Sequence, residues 1–186
     1  MRMPAWEDII ERYYPEDTPL RRLLLRHSGQ VRDKALSLLR PGMCRELVES
    51  GAMVHDVGIF RCHAPGILCV GEEPYLRHGV IGGELLRAYG RECGVDLEPL
   101  ARVCERHTGA GITAQEVRRE GLPLPERDWL PETPEERLIC LADKFFSKSG
   151  EGEEKPLPVV RRSLEKFGAE TLARFDALCR EFLWVG

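Results

Sequence analysis

Along most of this chain apolar residues recur in steps of three and four, the period of an amphipathic helix. The clearest stripe is Leu20, Leu24, His27, Val31, Ala35 and Leu38. Thr18 can cap that helix, Pro19 suits its first turn, and Pro41–Gly42 stops it. Further helical patterns cover residues 5–14, 44–58, 73–90, 96–111, 113–120 and 133–148, followed by a closing pair at about 157–167 and 169–183. Asp96 and Thr133 stand where caps belong, and Gly58 and Gly90 where helices end. No run of four to eight residues alternates as a strand, so the expected fold class is all-α. Four prolines within 121–136 predict a rigid connection, and the charged, glycine-bearing stretch 149–156 a mobile surface loop. The closing pair is expected to lay Leu164, Phe167, Leu172, Phe175, Phe182 and Trp184 over the core as a lid.

Certain polar residues interrupt the apolar pattern. In "AMVHDVGIF", residues 52–60, His55 and Asp56 sit inside a run that otherwise reads as core. Polar groups buried without partners are costly, so the pair needs something to bind. His27 falls on the buried stripe of its helix, His78 in the first turns of the 73–90 helix, and His107 at the end of the 96–111 helix. Asp143 lies beside Leu138, Leu141 and Phe145. A lone histidine on an apolar face is usually a hydrogen-bonded core residue. Six such groups spread over several helices point instead to a metal, because imidazoles and carboxylates are ligands for Fe, Mn, Zn, Co and Ni. Neighbouring side chains on a helix point about 100° apart. His55 and Asp56 can therefore share one centre only if their helix ends near Gly58.

Composition narrows the function classes. The chain has 186 residues, 42% of them hydrophobic and 31% charged, which suits one domain over 1–186 with a core at about 20–150 and helices 157–183 packed on it. A formal net charge of -4 argues against binding a nucleic-acid duplex. No apolar run is long enough for a membrane span, and Glu7, Asp8 and Glu11 stand where a leader would be apolar, so the expected location is the cytoplasm. Seven cysteines, an odd count without C-x-x-C spacing, read as reduced thiols packed mostly in the core. A homodimer is compatible with all of this.

The ordered set His27, His55–Asp56, His78, His107 and Asp143 resembles the HD-domain superfamily of metal-dependent phosphohydrolases. "HDVGI" is similar to its H-D-x-G variant, and the approach "GLPLP" to "TPEER" to "LADK" is similar to that of small stand-alone members. The resemblance runs from about residue 20 to 150. It implies a helical HD fold in which His27, His55, Asp56 and Asp143 hold one divalent ion. It further implies that His78 and His107 hold a second, with Asp56 bridging and catalytic. Two such cations lower the pKa of a bridging water and clamp the attacked phosphoryl oxygens.

By that resemblance the chain would cleave a phosphate ester or phosphoanhydride bond of a small phosphorylated molecule, a nucleotide or dinucleoside polyphosphate. Arg61, Lys144 and Arg106 are the candidate phosphate contacts, with Arg26 and Arg77 also flanking candidate ligands. Many cyclic-dinucleotide phosphodiesterases of the superfamily carry lysine after H-D-x-G, where this chain has Ile59, and their glycine-rich companion motif is absent. Two alternatives keep the fold: a di-iron oxygenase, and a non-enzymatic metal-bound ligand-binding protein.

Overall fold

The computed structural model describes residues 4–184. Met1–Met3, the start of the leaderless N-terminal reading, and the final two residues of the expected domain lie outside it. Nine α-helices occupy most of the described chain: α1 (Trp6–Tyr13), α2 (Pro19–Ser37), α3 (Arg45–Val54), α4 (His78–Cys93), α5 (Glu98–Arg106), α6 (Ala114–Glu120), α7 (Pro134–Asp143), α8 (Leu157–Glu165) and α9 (Ala169–Phe182). The helical class expected from the period is what forms. A small addition escaped it, a three-stranded ribbon of β1 (Cys62–Ala64), β2 (Cys69–Val70) and β3 (Glu73–Pro74) in the order β2-β1-β3. β1 runs antiparallel to β2 and parallel to β3. Strands of two or three residues are too short to leave an alternating signal.

Local chemistry explains the helix starts. The Thr18 hydroxyl accepts from the Arg21 N–H at 3.1 Å, and Pro19 opens α2. Thr133 and Glu136 form a reciprocal capping box at α7, as Thr113 and Glu116 do at α6. Several ends differ from the sequence reading: α3 stops at Val54 rather than 58, α5 at Arg106 rather than 111 and α7 at Asp143 rather than 148, while α4 opens at His78 rather than 73. α4 runs past Gly90 to Cys93 and is closed by Gly94 in the left-handed region, φ 68°. Leu97, rather than Asp96, is the capping position of α5, although the Asp96 carboxylate accepts from the Glu98 N–H at 2.9 Å.

The helices enclose two main apolar clusters. Ile9, Leu24, Val54, Leu86, Leu100 and Cys104 belong to one, and Val31, Ala52, Leu138, Leu141, Phe175 and Phe182 to the other. His27 lies on α2 between Leu24 of the first and Val31 of the second, so the polar residues gather at the seam. α9 packs on α7 and supplies Phe175, Leu178 and Phe182 to the second cluster. The expected lid is thus partly core, but Phe167 and Trp184 are more than half exposed and do not belong to it. All seven cysteines are free, five of them buried.

Gly58 has an ordinary helical φ of −82°. It is needed for a different reason from the one its position implied. A Cβ there would stand 2.3 Å from the His78 carbonyl oxygen and 2.7 Å from the Gly82 nitrogen. The missing side chain lets the start of α4 approach the end of α3. At Gly29, inside α2, a Cβ would meet nothing within 4 Å. Alanine at these two glycines is therefore expected to act in opposite directions. Gly58→Ala should destabilise by about 1–3 kcal/mol or more through overpacking against backbone. Gly29→Ala should stabilise by about 0.5–1 kcal/mol through helix propensity. Urea denaturation midpoints check both, and a Gly58→Ala protein as stable as its parent would contradict the close approach.

Candidate metal centre

Four of the five helices that build the centre contribute from their ends. His55 directly follows the last residue of α3, His107 follows that of α5, His78 opens α4, and Asp143 closes α7. His27 alone comes from mid-helix, on α2. The last carbonyls of a helix lack intrahelical partners. Two of the histidines use them. His55 Nδ1 lies 2.7 Å from the Ala52 carbonyl, and His107 Nδ1 lies 2.7 Å from the Cys104 carbonyl. His78 does the same with the carbonyl of Tyr75, at 2.6 Å, in the 3₁₀ turn before α4.

A carbonyl only accepts, so each of these Nδ1 atoms carries its hydrogen and donates. In the neutral ring Nε2 is then a bare lone pair, and all three Nε2 atoms face Asp56. This is the arrangement that outer contacts impose on metal-ligating histidines.

Asp56 is fully buried, and its two oxygens face different partners. Oδ2 lies 3.1 Å from His55 Nε2 and 3.3 Å from His27 Nε2. Asp143 Oδ1 closes that side, 2.9 Å from His27 Nε2 and 3.3 Å from His55 Nε2. Oδ1 lies 3.3 Å from both His78 Nε2 and His107 Nε2, which are 3.0 Å from each other. The donor atoms thus form two groups, His27, His55, Asp56 and Asp143 on one side and Asp56, His78 and His107 on the other, each within 4.8 Å. All six residues singled out in the sequence are brought together.

Charge is strongly biased here. Burial alone would lower the His55 pKa, but Asp56 and Asp143 outweigh it and raise it to about 9. Burial would raise Asp56, yet His55 and Lys148 hold it well below the carboxylate range, and Lys144 with His27 does the same for Asp143. On the other side burial prevails and pushes His78 down to about 3, with His107 lowered as well. The first group favours positive charge, and the second keeps its imidazoles neutral.

These residues fit divalent cations. Neither Asp56 oxygen has a well-directed hydrogen bond, and both are buried. Two imidazole lone pairs 3.0 Å apart repel unless a positive centre lies between them. A nitrogen–oxygen donor set of this kind suits Fe, Mn, Zn, Co or Ni.

The basic residues sort differently from the expectation. Lys144 Nζ reaches Asp143 Oδ2 at 2.5 Å. Arg106 instead donates to the Leu130 carbonyl at 2.6 Å and pairs with Glu132, while Arg61 is exposed with its guanidinium over the Phe60 ring. Arg77 pairs with Glu73, and Arg26 donates to the Lys148 carbonyl. The cation that sequence reasoning missed is Lys148, whose Nζ lies 2.7 Å from Asp56 Oδ2. Its position follows from the loop expected to be mobile. Arg26, Gln30 and Lys34 of α2 bind Lys148, Gly152 and Glu154, tying that loop across the centre. A lysine following two phenylalanines just past the last acid was the available signal. Tyr75, stacked on His78 with ring centres 4.6 Å apart, was also missed.

The HD domain family model matches residues 24–147, about two-thirds of the chain and all six clustered residues. An uncharacterized protein of Methanocaldococcus jannaschii is 43% identical over 101 residues, which are 54% of this chain and 49% of that protein. A tRNA (cytidine(56)-2'-O)-methyltransferase of Picrophilus torridus is 33% identical over 126 residues, covering 67% of this chain and 32% of the relative. Its namesake from Thermoplasma volcanium is 32% identical over 178 residues, 95% of this chain and 45% of the relative. The chain therefore spans a third to a half of the length of the curated relatives it matches. Among solved structures, the HD domain of the L. monocytogenes phosphodiesterase PgpH has a similar fold, with a TM-score of 0.50, 15% identity and 97% coverage of both chains. With the family model matched across the whole constellation, the chain belongs to the HD domain family, the superfamily of metal-dependent phosphohydrolases.

Proposed function

We propose that this protein is a metal-dependent phosphohydrolase with two divalent ions, one held by His27, His55, Asp56 and Asp143 and the other by Asp56, His78 and His107. The observation that carries the reading is the Asp56 carboxylate, fully buried, with one oxygen facing each group. When bound, such ions acidify water and screen the charge of an attacked phosphoryl group. Asp56 fixes the two groups relative to each other. Ala52, Cys104 and Tyr75 orient the imidazoles through their carbonyls. Lys144 and Lys148 bring positive charge to the side where phosphoryl oxygens would lie. Burial and the Asp56 charge raise the Tyr75 pKa, so its hydroxyl keeps its proton at neutral pH while its ring holds His78 in place.

The relatives named tRNA methyltransferases support the family but not methyl transfer by this chain, since more than half of each lies outside the match. The residues gathered around Asp56 are ion-binding and phosphate-facing. The reaction that fits them is hydrolysis of a phosphate ester.

Three outcomes are expected. Protein stripped with chelator and reloaded with Mn, Fe, Co, Ni or Zn should melt at a higher temperature, since an ion at 100 times its Kd adds about 2.7 kcal/mol per site. No shift with any of these ions would contradict an ion-binding centre. Asp56→Ala should lower phosphate release from a panel of phosphate esters by about 10²- to 10³-fold or more, with the circular dichroism spectrum retained. Wild-type turnover in a folded, ion-poor Asp56→Ala protein would reduce the pair to a core feature. Lys148→Met should lower kcat/KM by about 10- to 100-fold, the value of one charge-assisted hydrogen bond. Steady-state kinetics at fixed ion content checks this, and an unchanged kcat/KM would remove Lys148 from the phosphate site.

A further inference from the structure

Lys148 enters the centre from the segment between α7 and α8, which belongs to neither helix. A lysine side chain has many rotamers to lose, so its ammonium keeps one position only where several contacts fix it. On the backbone side the Lys148 carbonyl accepts from Arg26 of α2 at 3.0 Å. On the other side the ammonium has two partners. One is Asp56 Oδ2 at 2.7 Å. The other is Tyr75, whose ring centre lies 5.8 Å from Nζ and whose hydroxyl oxygen accepts a hydrogen bond from it.

The two partners are not equivalent. Asp56 Oδ2 belongs to the first donor group, with His55 Nε2 at 3.1 Å and His27 Nε2 at 3.3 Å, and is shared with any cation held there. The Tyr75 hydroxyl belongs to neither donor group. Tyr75 itself is held firmly. It opens the 3₁₀ turn Tyr75–Arg77 directly before α4, its ring stacks on His78, and its carbonyl accepts from His78 Nδ1 at 2.6 Å. Ring and carbonyl thus serve the histidine, and the hydroxyl is left for Lys148. An ammonium has three hydrogens to donate. With one toward Asp56 and one toward Tyr75, the third is left for a phosphoryl oxygen.

We infer that Tyr75 is a positioning residue for phosphoryl binding, its hydroxyl holding the Lys148 ammonium in place for the substrate's phosphoryl group. The inference rests on the phosphohydrolase reading for the identity of the substrate. The contact joins the segment anchored on α2 to the turn that carries His78, so one side chain serves both halves of the centre.

Tyr75→Phe separates these roles, because it keeps the ring and the carbonyl and removes only the hydroxyl. Its manganese content and melting temperature should match those of the parent. Inorganic phosphate should bind the manganese-loaded variant about 3- to 10-fold more weakly by calorimetry, the value of one hydrogen bond. The kcat/KM for p-nitrophenyl phosphate should fall by a similar factor. In a Lys148→Met background the same substitution should change neither quantity, since the group through which it acts is gone. Phosphate binding unchanged in Tyr75→Phe, or weakened equally with and without Lys148, would overturn the inference while turnover by the parent kept the hydrolase reading. Loss of manganese from Tyr75→Phe would also overturn it, placing the role of the hydroxyl at His78 instead. If phosphate binding shows the coupling to Lys148 but no ester is cleaved, the hydrolase reading fails and the positioning role stands.

Discussion

A carboxylate with no exposed surface, Asp56, sets the terms for everything around it. An isolated ionised carboxylate is expensive to bury, and its ordinary escape is to take up a proton. Here the surroundings prevent that. His55, His27 and Lys148 crowd one oxygen, while His78 and His107 face the other. The charge is retained in a wall of apolar side chains, and its two faces are chemically unlike. One favours a positive group strongly enough to lift His55 to about 9, and the other keeps its imidazoles neutral.

Helix termini make this arrangement possible. An element that ends at the centre brings unpaired backbone carbonyls with it, and these fix the histidine rings without the aid of other side chains. The same carbonyls give the ends of α3 and α5 partial negative charge, which favours cations nearby. Close approach of the helices then follows from small residues. Without a side chain at Gly58 the first turn of α4 packs directly against the end of α3, bringing His78 to the opposite oxygen of Asp56 from His55. Seen this way, the apolar clusters on either side act as the frame, and the polar seam between them is where the frame leaves room for chemistry.

Much of this was legible in the residue order. The stripe through Leu24, Val31 and Ala35 gives α2 its buried face, and His27 on that stripe had to point inward. His55–Asp56 stood out because no apolar partner could satisfy them. What was not legible depended on contacts distant in sequence. Lys148 falls at the end of a helical pattern expected to run over 133–148, but α7 stops at Asp143, and the reach of Arg26, Gln30 and Lys34 from α2 to Lys148, Gly152 and Glu154 holds the segment across the centre. Arg106 adjoins His107 but is directed elsewhere, because consecutive residues at a helix end diverge, and Arg61, five positions after Asp56, lies over the Phe60 ring. Phe167 carried the expected helical spacing and still emerged at the surface, since the α8–α9 connection turns there. Gly58 was read as the point where α3 unwinds, whereas the structure uses it for contact.

The central question is whether Asp56 joins two cations. Anomalous diffraction from crystals grown with manganese measures this directly. Two peaks should flank the Asp56 carboxylate, about 3.5–4 Å apart. One should be ligated by His27, His55 and Asp143, and the other by His78 and His107. A single peak with His78 and His107 turned into hydrogen bonds with the protein, or no peak at Asp56, would contradict it.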